Sequence, residues 1–449
     1  MATREDFTPR PPRRSGMMPV HAVGAAKGAR TSDRVRPRSA LRPLEAETGG
    51  EWSRALRVME MGVTIYNKRA VLDVGGEGAT DAPLVFHRKL PAYRATPLVD
   101  LGESAARRFG VGRVWIKDES ERLGLPAFKI LGASWGVYRA IAERAPGLVG
   151  GWDTLSTLRE RLRALGRITL VTATDGNHGR AVARVAAWFG FGARVFMPAA
   201  TIVERIGAIE SEGAVVTVID GDYDAAVAAA AGASTRGGDS GSWLIQDTAW
   251  AGYETIPSWI VEGYWTLFWE IEEQRAALGA PDPDLVIIQI GVGSLAASAV
   301  RFYRAGKRRS RPRIAGVEPE GAACAFASIR AGHPVTVPGP HRSHMAGLNC
   351  GTLSSIAWPY IDRGIDAFVT IGDERCFEAL RYLAASGVTS GESGAAGVAA
   401  LMELCSSKNG EGVREALGLD RSSVILAIST EGITNTALYR RIVGDLSPR

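Results

Sequence analysis

The stretch Leu285-Val286-Ile287-Ile288 is apolar at every position, and similar short apolar runs recur between segments of helical periodicity. A strand without alternation has to be covered on both faces, which points to helices above and below a parallel sheet. Strands are expected at 114–117, 168–172, 193–197, 215–219, 285–290, 314–317 and 424–428. Helices are expected at 130–143, 180–189, 202–212, 223–231, 258–278 and 296–305, with a further helical segment at 51–66. Residues 91–98 read as extended, because residues before proline avoid the helical region. The alternation predicts an α/β chain with two open parallel sheets. A compact stretch, 145–245, closes on a Gly/Ser-rich loop at 232–241 and is expected to be a small α/β domain. It would be inserted into a larger one made of 51–144 and 246–449. Open sheets of this kind bind ligands beyond the carboxyl ends of their strands, so the site is expected in the cleft between the two.

Charge excludes one class of partner. The chain carries +5 overall, but residues 1–42 hold ten Lys/Arg against three acids, a net of +7, leaving −2 for the rest. The basic character therefore belongs to a Pro-, Gly- and Ser-rich tail, residues 1–50, whose composition predicts disorder. It has no interleaved aromatics to stack on bases, so nucleic acid is not an expected partner. No apolar run reaches the roughly 18 residues of a membrane span. No apolar stretch follows the basic N-terminus as in a secretory signal, so the cytoplasm is the expected compartment. The four cysteines show no metal-ligand spacing, and no metal is expected. Cys324 and Cys350 lie in turn-rich stretches, and pairing between them is left open.

Three strand-to-helix junctions carry candidate chemistry. Lys129, in Phe128-Lys129-Ile130-Leu131-Gly132, sits at the mouth of a helix. Apolar neighbours and the helix dipole would both lower its pKa from about 10.4, activating it as a Schiff-base amine; the plain alternative is a surface lysine with a packed stem. Gly291-Val292-Gly293-Ser294-Leu295 follows a strand and opens a helix, so its backbone N–H groups suit a phosphate. It is too short for a dinucleotide fingerprint. Thr174-Asp175-Gly176-Asn177-His178-Gly179 is the third. Its amides and Thr174 suit a carboxylate and Asn177 a phenolic oxygen, while Asp175 suits proton transfer or a cationic group. The plain alternative makes Asp175 a helix N-cap and His178 a packed turn residue, and for His178 that is the expectation. Asp247, in Gln246-Asp247-Thr248-Ala249-Trp250, would meet a ligand ammonium or close an Asx-turn. Ser429 ends the last strand, where a hydroxyl suits a pyridine nitrogen, and Ser390-Gly391-Glu392-Ser393-Gly394 is a turn that could lie beside it.

With Lys117-Asp118-Glu119-Ser120, Val317-Glu318-Pro319-Glu320 and Met345-Ala346-Gly347-Leu348, these motifs resemble the fold-type II pyridoxal-phosphate enzymes over residues 85–445. The Thr-Asp-Gly-Asn-His-Gly and Gln-Asp-Thr-Ala-Trp strings narrow the resemblance to the diaminopropionate ammonia-lyase family. It implies two α/β domains with the active site between them, pyridoxal 5'-phosphate as cofactor, and a homodimer. It implies elimination of ammonia from 2,3-diaminopropionate to give pyruvate. Lys129 would hold the cofactor and residues 291–295 its phosphate; Asn177 would contact the ring oxygen, and Ser429 would lie near the ring nitrogen. Asp175 and Asp247 would act at the substrate, Lys129 and Asp175 each taking the Cα proton of one enantiomer. Two acids suit a substrate with two amines. One rival is a serine/threonine dehydratase, or another β-eliminating or β-replacing enzyme on the same fold; another is a pyridoxal-phosphate carrier or sensor without catalysis, against which Lys129 and Asp175 together argue. Ala251, Asn349 and Ile433 depart from the family pattern and bear on substrate choice.

Overall fold

The structure, a computed structural model, describes residues 64–235, 241–307, 310–406 and 408–444. The basic tail and most of the helical segment expected at 51–66 lie outside these. The last three residues of that segment form a strand instead.

Among the described residues, eleven strands form two sheets: β1 (Thr64–Tyr66), β2 (Leu98–Asp100), β3 (Arg113–Asp118), β4 (Thr169–Ala173), β5 (Gly192–Pro198), β6 (Val215–Ile219), β7 (Ser242–Leu244), β8 (Leu285–Gln289), β9 (Arg313–Pro319), β10 (Ala367–Ile371) and β11 (Val424–Ser429). The larger sheet runs β1-β10-β9-β8-β11-β3-β2, parallel except where β1 and β2 pair antiparallel at its edges. The smaller runs β6-β5-β4-β7, parallel throughout.

The unbroken apolar runs follow from the pleat, since successive side chains face opposite ways. Val286 and Ile288 enter one core while Leu285 and Ile287 enter another; Leu426 and Ile428 divide from Ile425 and Ala427 in the same manner. The first of these cores also takes Leu170 and Val195 of the small sheet. The helix Lys129–Arg144 lies at that junction, packed on Asn177–Phe189 and on Thr255–Gly263. It approaches the latter closely through glycines. A Cβ on Gly132 would stand 2.5 Å from Cε1 of Tyr264, and one on Gly263 would stand 2.5 Å from the Leu131 carbonyl oxygen. The single helix expected at 258–278 is consequently two, Thr255–Gly263 and Trp265–Ala277, meeting at Tyr264.

A fully buried ionic network braces the segment leading to Lys129. Lys117 and Arg122 both bond Glu270, and Arg122 also bonds Glu119, whose carboxylate takes the hydroxyl of Thr96. Two cations meet two anions, so the desolvated charges balance.

Candidate active site

The carboxyl ends of β3, β4, β7, β8 and β11 open onto one pocket. It is lined by Lys129, Thr174, Asp175, Asn177, His178, Asp247 and all five residues 291–295, together with Gln289, Tyr223, Cys350 and Glu431. Segments far apart in sequence thus meet where an open sheet presents its loops. Ser429 is not among the lining residues. Its hydroxyl donates to the Ser390 hydroxyl at 2.8 Å, and its neighbours Thr430 and Glu431 face the pocket instead.

At the centre Lys129 Nζ donates to Asp247 Oδ2 at 2.6 Å. Burial alone would depress the lysine, but the Asp247 charge and hydrogen bond outweigh it and raise its pKa above the ordinary value. The expectation of a lowered pKa is corrected by this ion pair: sequence showed the apolar neighbours and the helix start, not the carboxylate. Burial likewise pushes Asp247 up, yet His178 and Lys129 bring it down to about 2. Asp247 closes no Asx-turn. Its backbone carbonyl accepts the Ser294 hydroxyl at 2.6 Å, which joins its loop to the glycine turn. That loop is also held by Gln246, whose side chain bonds Thr172, the Ala173 amide and the Tyr223 hydroxyl.

Asp175 does not cap its helix; Gly176 occupies that position without a side-chain bond. Burial raises the Asp175 carboxyl to about 6, against the opposing charges of Arg205 and Lys129. Thr174 accepts the Gly176 amide at 2.9 Å, and the Asn177 side chain donates to Glu431. His178 is buried, as a packed turn residue would be, but one of its nitrogens faces Asp247 across 3.8 Å. Cys324 and Cys350 are buried free thiols. Of the departures from the family pattern, Ala251 is exposed in a turn and Ile433 does not line the pocket. Asn349 lines a wider vestibule that shares Asp175 and Tyr223 with the pocket.

Sequence reasoning passed over Gln289, Tyr223 and Glu431. Glu431 carried a signal, standing two residues beyond a strand end; Gln289 and Tyr223 carried none beyond their strand-end neighbourhood.

The pocket fits a phosphorylated pyridine aldehyde. Gly293 takes φ +94°, and a Cβ there would meet Ile361 at 2.7 Å, so only glycine lets the backbone turn at this spot. The helix Ser294–Arg304 follows with no side chain capping its first turn, leaving its N–H groups to an anion. Gln289 adds a buried carbonyl oxygen without a partner. Among the described residues no cluster of His, Cys, Asp or Glu suits a metal, and no helix is long and apolar enough to cross a membrane.

The family model described as pyridoxal-phosphate dependent enzyme matches residues 89–414. Diaminopropionate ammonia-lyase of Salmonella typhimurium is 39% identical over 392 residues, which is 84% of this chain and 95% of that protein. Two crystal structures of Escherichia coli diaminopropionate ammonia lyase match with TM-score 0.73 and 32% identity, covering 85% of this chain and 97% of theirs. One is in complex with the aminoacrylate-PLP azomethine reaction intermediate, the other with D-serine.

Proposed function

The chain belongs to the pyridoxal-phosphate dependent enzymes and, within them, to the diaminopropionate ammonia-lyase family, and from that premise we propose how its residues perform the elimination. The overall change takes 2,3-diaminopropionate and water to pyruvate and two ammonia molecules. Pyridoxal phosphate, when bound, supplies the electron-withdrawing ring that stabilises negative charge at the substrate Cα.

Lys129 holds the cofactor, with Gly291, Val292, Gly293, Ser294 and Leu295 at the phosphate. Asn177 serves the ring oxygen. Ser429, whose hydroxyl bonds Ser390 in this structure, would serve the ring nitrogen by turning from that contact. Thr174 and the amides at the start of Asn177–Phe189 take the substrate carboxylate. Asp247, anionic at every working pH, receives the β-ammonium. Lys129 fills that seat in this structure; with the β-ammonium there instead, the lysine released from the cofactor finds its counter-charge taken. Burial, no longer opposed, then favours the neutral amine, and Lys129 removes the Cα proton of one enantiomer. Asp175, raised to about 6, removes it from the other as a carboxylate at neutral pH. The structure with D-serine in the Escherichia coli relative supports a pocket that admits a D-amino acid. The Cβ–N bond breaks with its electron pair on nitrogen, which leaves as ammonia. The released 2-aminoacrylate takes up water outside the pocket and yields pyruvate and the second ammonia.

The observation that carries this reading is the convergence of Lys129, Asp247 and the glycine turn in one pocket. We also infer that 145–245 is a small domain, with 51–144 and 246–449 forming the larger. The active form is a homodimer in the cytoplasm. The test is the visible spectrum of the purified protein before and after 2,3-diaminopropionate, with pyruvate release compared against serine. A cofactor band that the diamino acid perturbs, with pyruvate forming faster than from serine, is expected. Faster release from serine would favour the dehydratase instead.

A further inference from the structure

His178 holds a buried nitrogen that nothing in the described structure satisfies. Its Nε2 lies 2.9 Å from the carbonyl oxygen of Ile245. A carbonyl only accepts, so Nε2 carries the ring hydrogen and Nδ1 of the neutral ring is a bare lone pair. That nitrogen has no hydrogen-bond partner, and the residue is 4% exposed. Across 3.8 Å it faces Asp247 Oδ2, the same oxygen that accepts Lys129 at 2.6 Å. A lone pair turned toward a carboxylate gains nothing there until it receives a proton. A buried polar atom left unpaired is costly, so its placement calls for a use.

The lysine presents the complementary problem. As an ammonium it cannot attack an aldehyde, and Asp247, held at about 2, is too weak a base to keep its proton. We propose that His178 is the proton acceptor that neutralises Lys129, with Asp247 Oδ2 as the bridge between them. One N–H bond of Lys129 breaks and its electron pair stays on the amine. The proton passes over Oδ2 and forms a new N–H bond at Nδ1. Asp247 ends as it began, a carboxylate with one cation beside it, now the imidazolium. The site's net charge is unchanged, so the transfer adds no buried charge; it runs uphill from the stronger base to the weaker and is drawn forward as the neutral amine is consumed by bonding to the aldehyde carbon. His178 needs to approach by under 1 Å to hydrogen-bond in its charged form. Burial and the Lys129 charge hold the imidazole neutral while the ammonium is present, and Asp247 opposes them. The other titratable side chains around the pocket are Asp175, Tyr223, Cys350 and Glu431, with Tyr264 behind Lys129. Of all these, Asp247 alone lies within ion-pair reach of the ring.

This assignment rests on Lys129 being the cofactor-bearing residue, and its test is kept separate from turnover. The full chain has six histidines, so ring-15N labelling gives a readable spectrum, His178 being the signal missing from His178→Gln. In the wild type without added cofactor, His178 should carry its proton on Nε2 and stay neutral from about pH 6 to 8. Lys129→Ala removes the competing cation and should raise its titration midpoint by about one unit or more, and adding Asp247→Asn should reverse that rise. Capture of pyridoxal phosphate by Lys129, followed by absorbance, should be at least about tenfold slower in His178→Gln at neutral pH. That deficit should close at strongly alkaline pH, where hydroxide takes the proton instead. A midpoint equal in wild type and Lys129→Ala overturns the relay, as does capture at the wild-type rate by a folded His178→Gln. If that variant does not fold, His178 is assigned as the ring signal that Asp247→Asn perturbs, and its titration in wild type and Lys129→Ala decides alone. Loss of pyruvate formation with both results intact would sink the lyase reading and leave the relay standing.

Discussion

Asp175 and Asp247 share one pocket, yet their surroundings drive them apart, one to about 6 and the other to about 2. Pairs of like groups pushed in opposite directions mark acid–base division of labour. On the proposed reading, Asp247, which stays charged, binds, and Asp175, which changes charge near working pH, transfers protons. Asp175→Asn should keep the cofactor band while slowing turnover of the enantiomer it serves by about a hundredfold or more. In the wild type, that enantiomer's rate should fall as pH drops through about 6, which a pH profile of pyruvate release reads directly. The stability sign is the reverse of the usual aspartate. The folded value lies above the unfolded one, so the charged form costs stability that grows as pH rises from about 4 to 6. Asp175→Asn should therefore melt no lower than wild type at pH 8, measured by thermal unfolding, despite losing activity. Asp175 and Asp247 were legible in sequence because each follows a strand in a polar string, and Lys129 because it is a lone charge among apolar residues at a helix start. Their protonation was not, because the Lys129–Asp247 pair joins residues 118 positions apart.

The helix that bears Lys129 shows what a local pattern can and cannot say. Its periodicity gave its extent almost to the residue, but not what it packs against. Gly132 and Gly136 reveal the partner, since a Cβ on either would meet Ile260 at 2.7 and 2.8 Å. Gly132→Ala should force the Tyr264 ring aside and cost about 1–3 kcal/mol, seen as a lowered urea midpoint. The strand β10 escaped notice although Ala367-Phe368-Val369-Thr370-Ile371 is entirely buried. A five-residue run that includes a threonine looks like either a strand or a buried helical turn. The ionic network before Lys129 was invisible for a different reason: its members come from the loop before β2, from β3 and its following loop, and from Trp265–Ala277. Glu270→Gln leaves Lys117 and Arg122 buried against one carboxylate, Glu119. It should destabilise by about 3–5 kcal/mol while leaving the cofactor spectrum of the folded fraction unchanged. Glu270 is held at about 2, so its stabilising share is complete above its unfolded value near 4.5 and drains away as pH falls from there toward 2.

Two sheets, each with its own strand order, need not make two independent units. One core runs from Trp115, Val286 and Leu426 of the large sheet to Leu170 and Val195 of the small one. The helix Lys129–Arg144 is wedged between the parts, and removing either would expose its buried face. Across the mouth of the cleft, Arg205 reaches the Thr434 hydroxyl at 3.3 Å, and the Asp247 loop is pinned by both Lys129 and Ser294. Shared core and shared clasps both couple the fates of the sheets, so the described body should unfold as one cooperative transition. The cofactor would touch loops of both sheets at once and bind the folded state alone. At a free concentration of 100 times its dissociation constant it should add about 2.7 kcal/mol. Scanning calorimetry of the full chain, with and without pyridoxal phosphate, should therefore show one peak that moves upward with cofactor concentration and does not split. Two resolved transitions, with only the later one shifted by the cofactor, would mean that the small sheet folds apart from the site it helps to build. Asp175, Asn177 and Asp247 would then owe their positions to docking rather than to a common core.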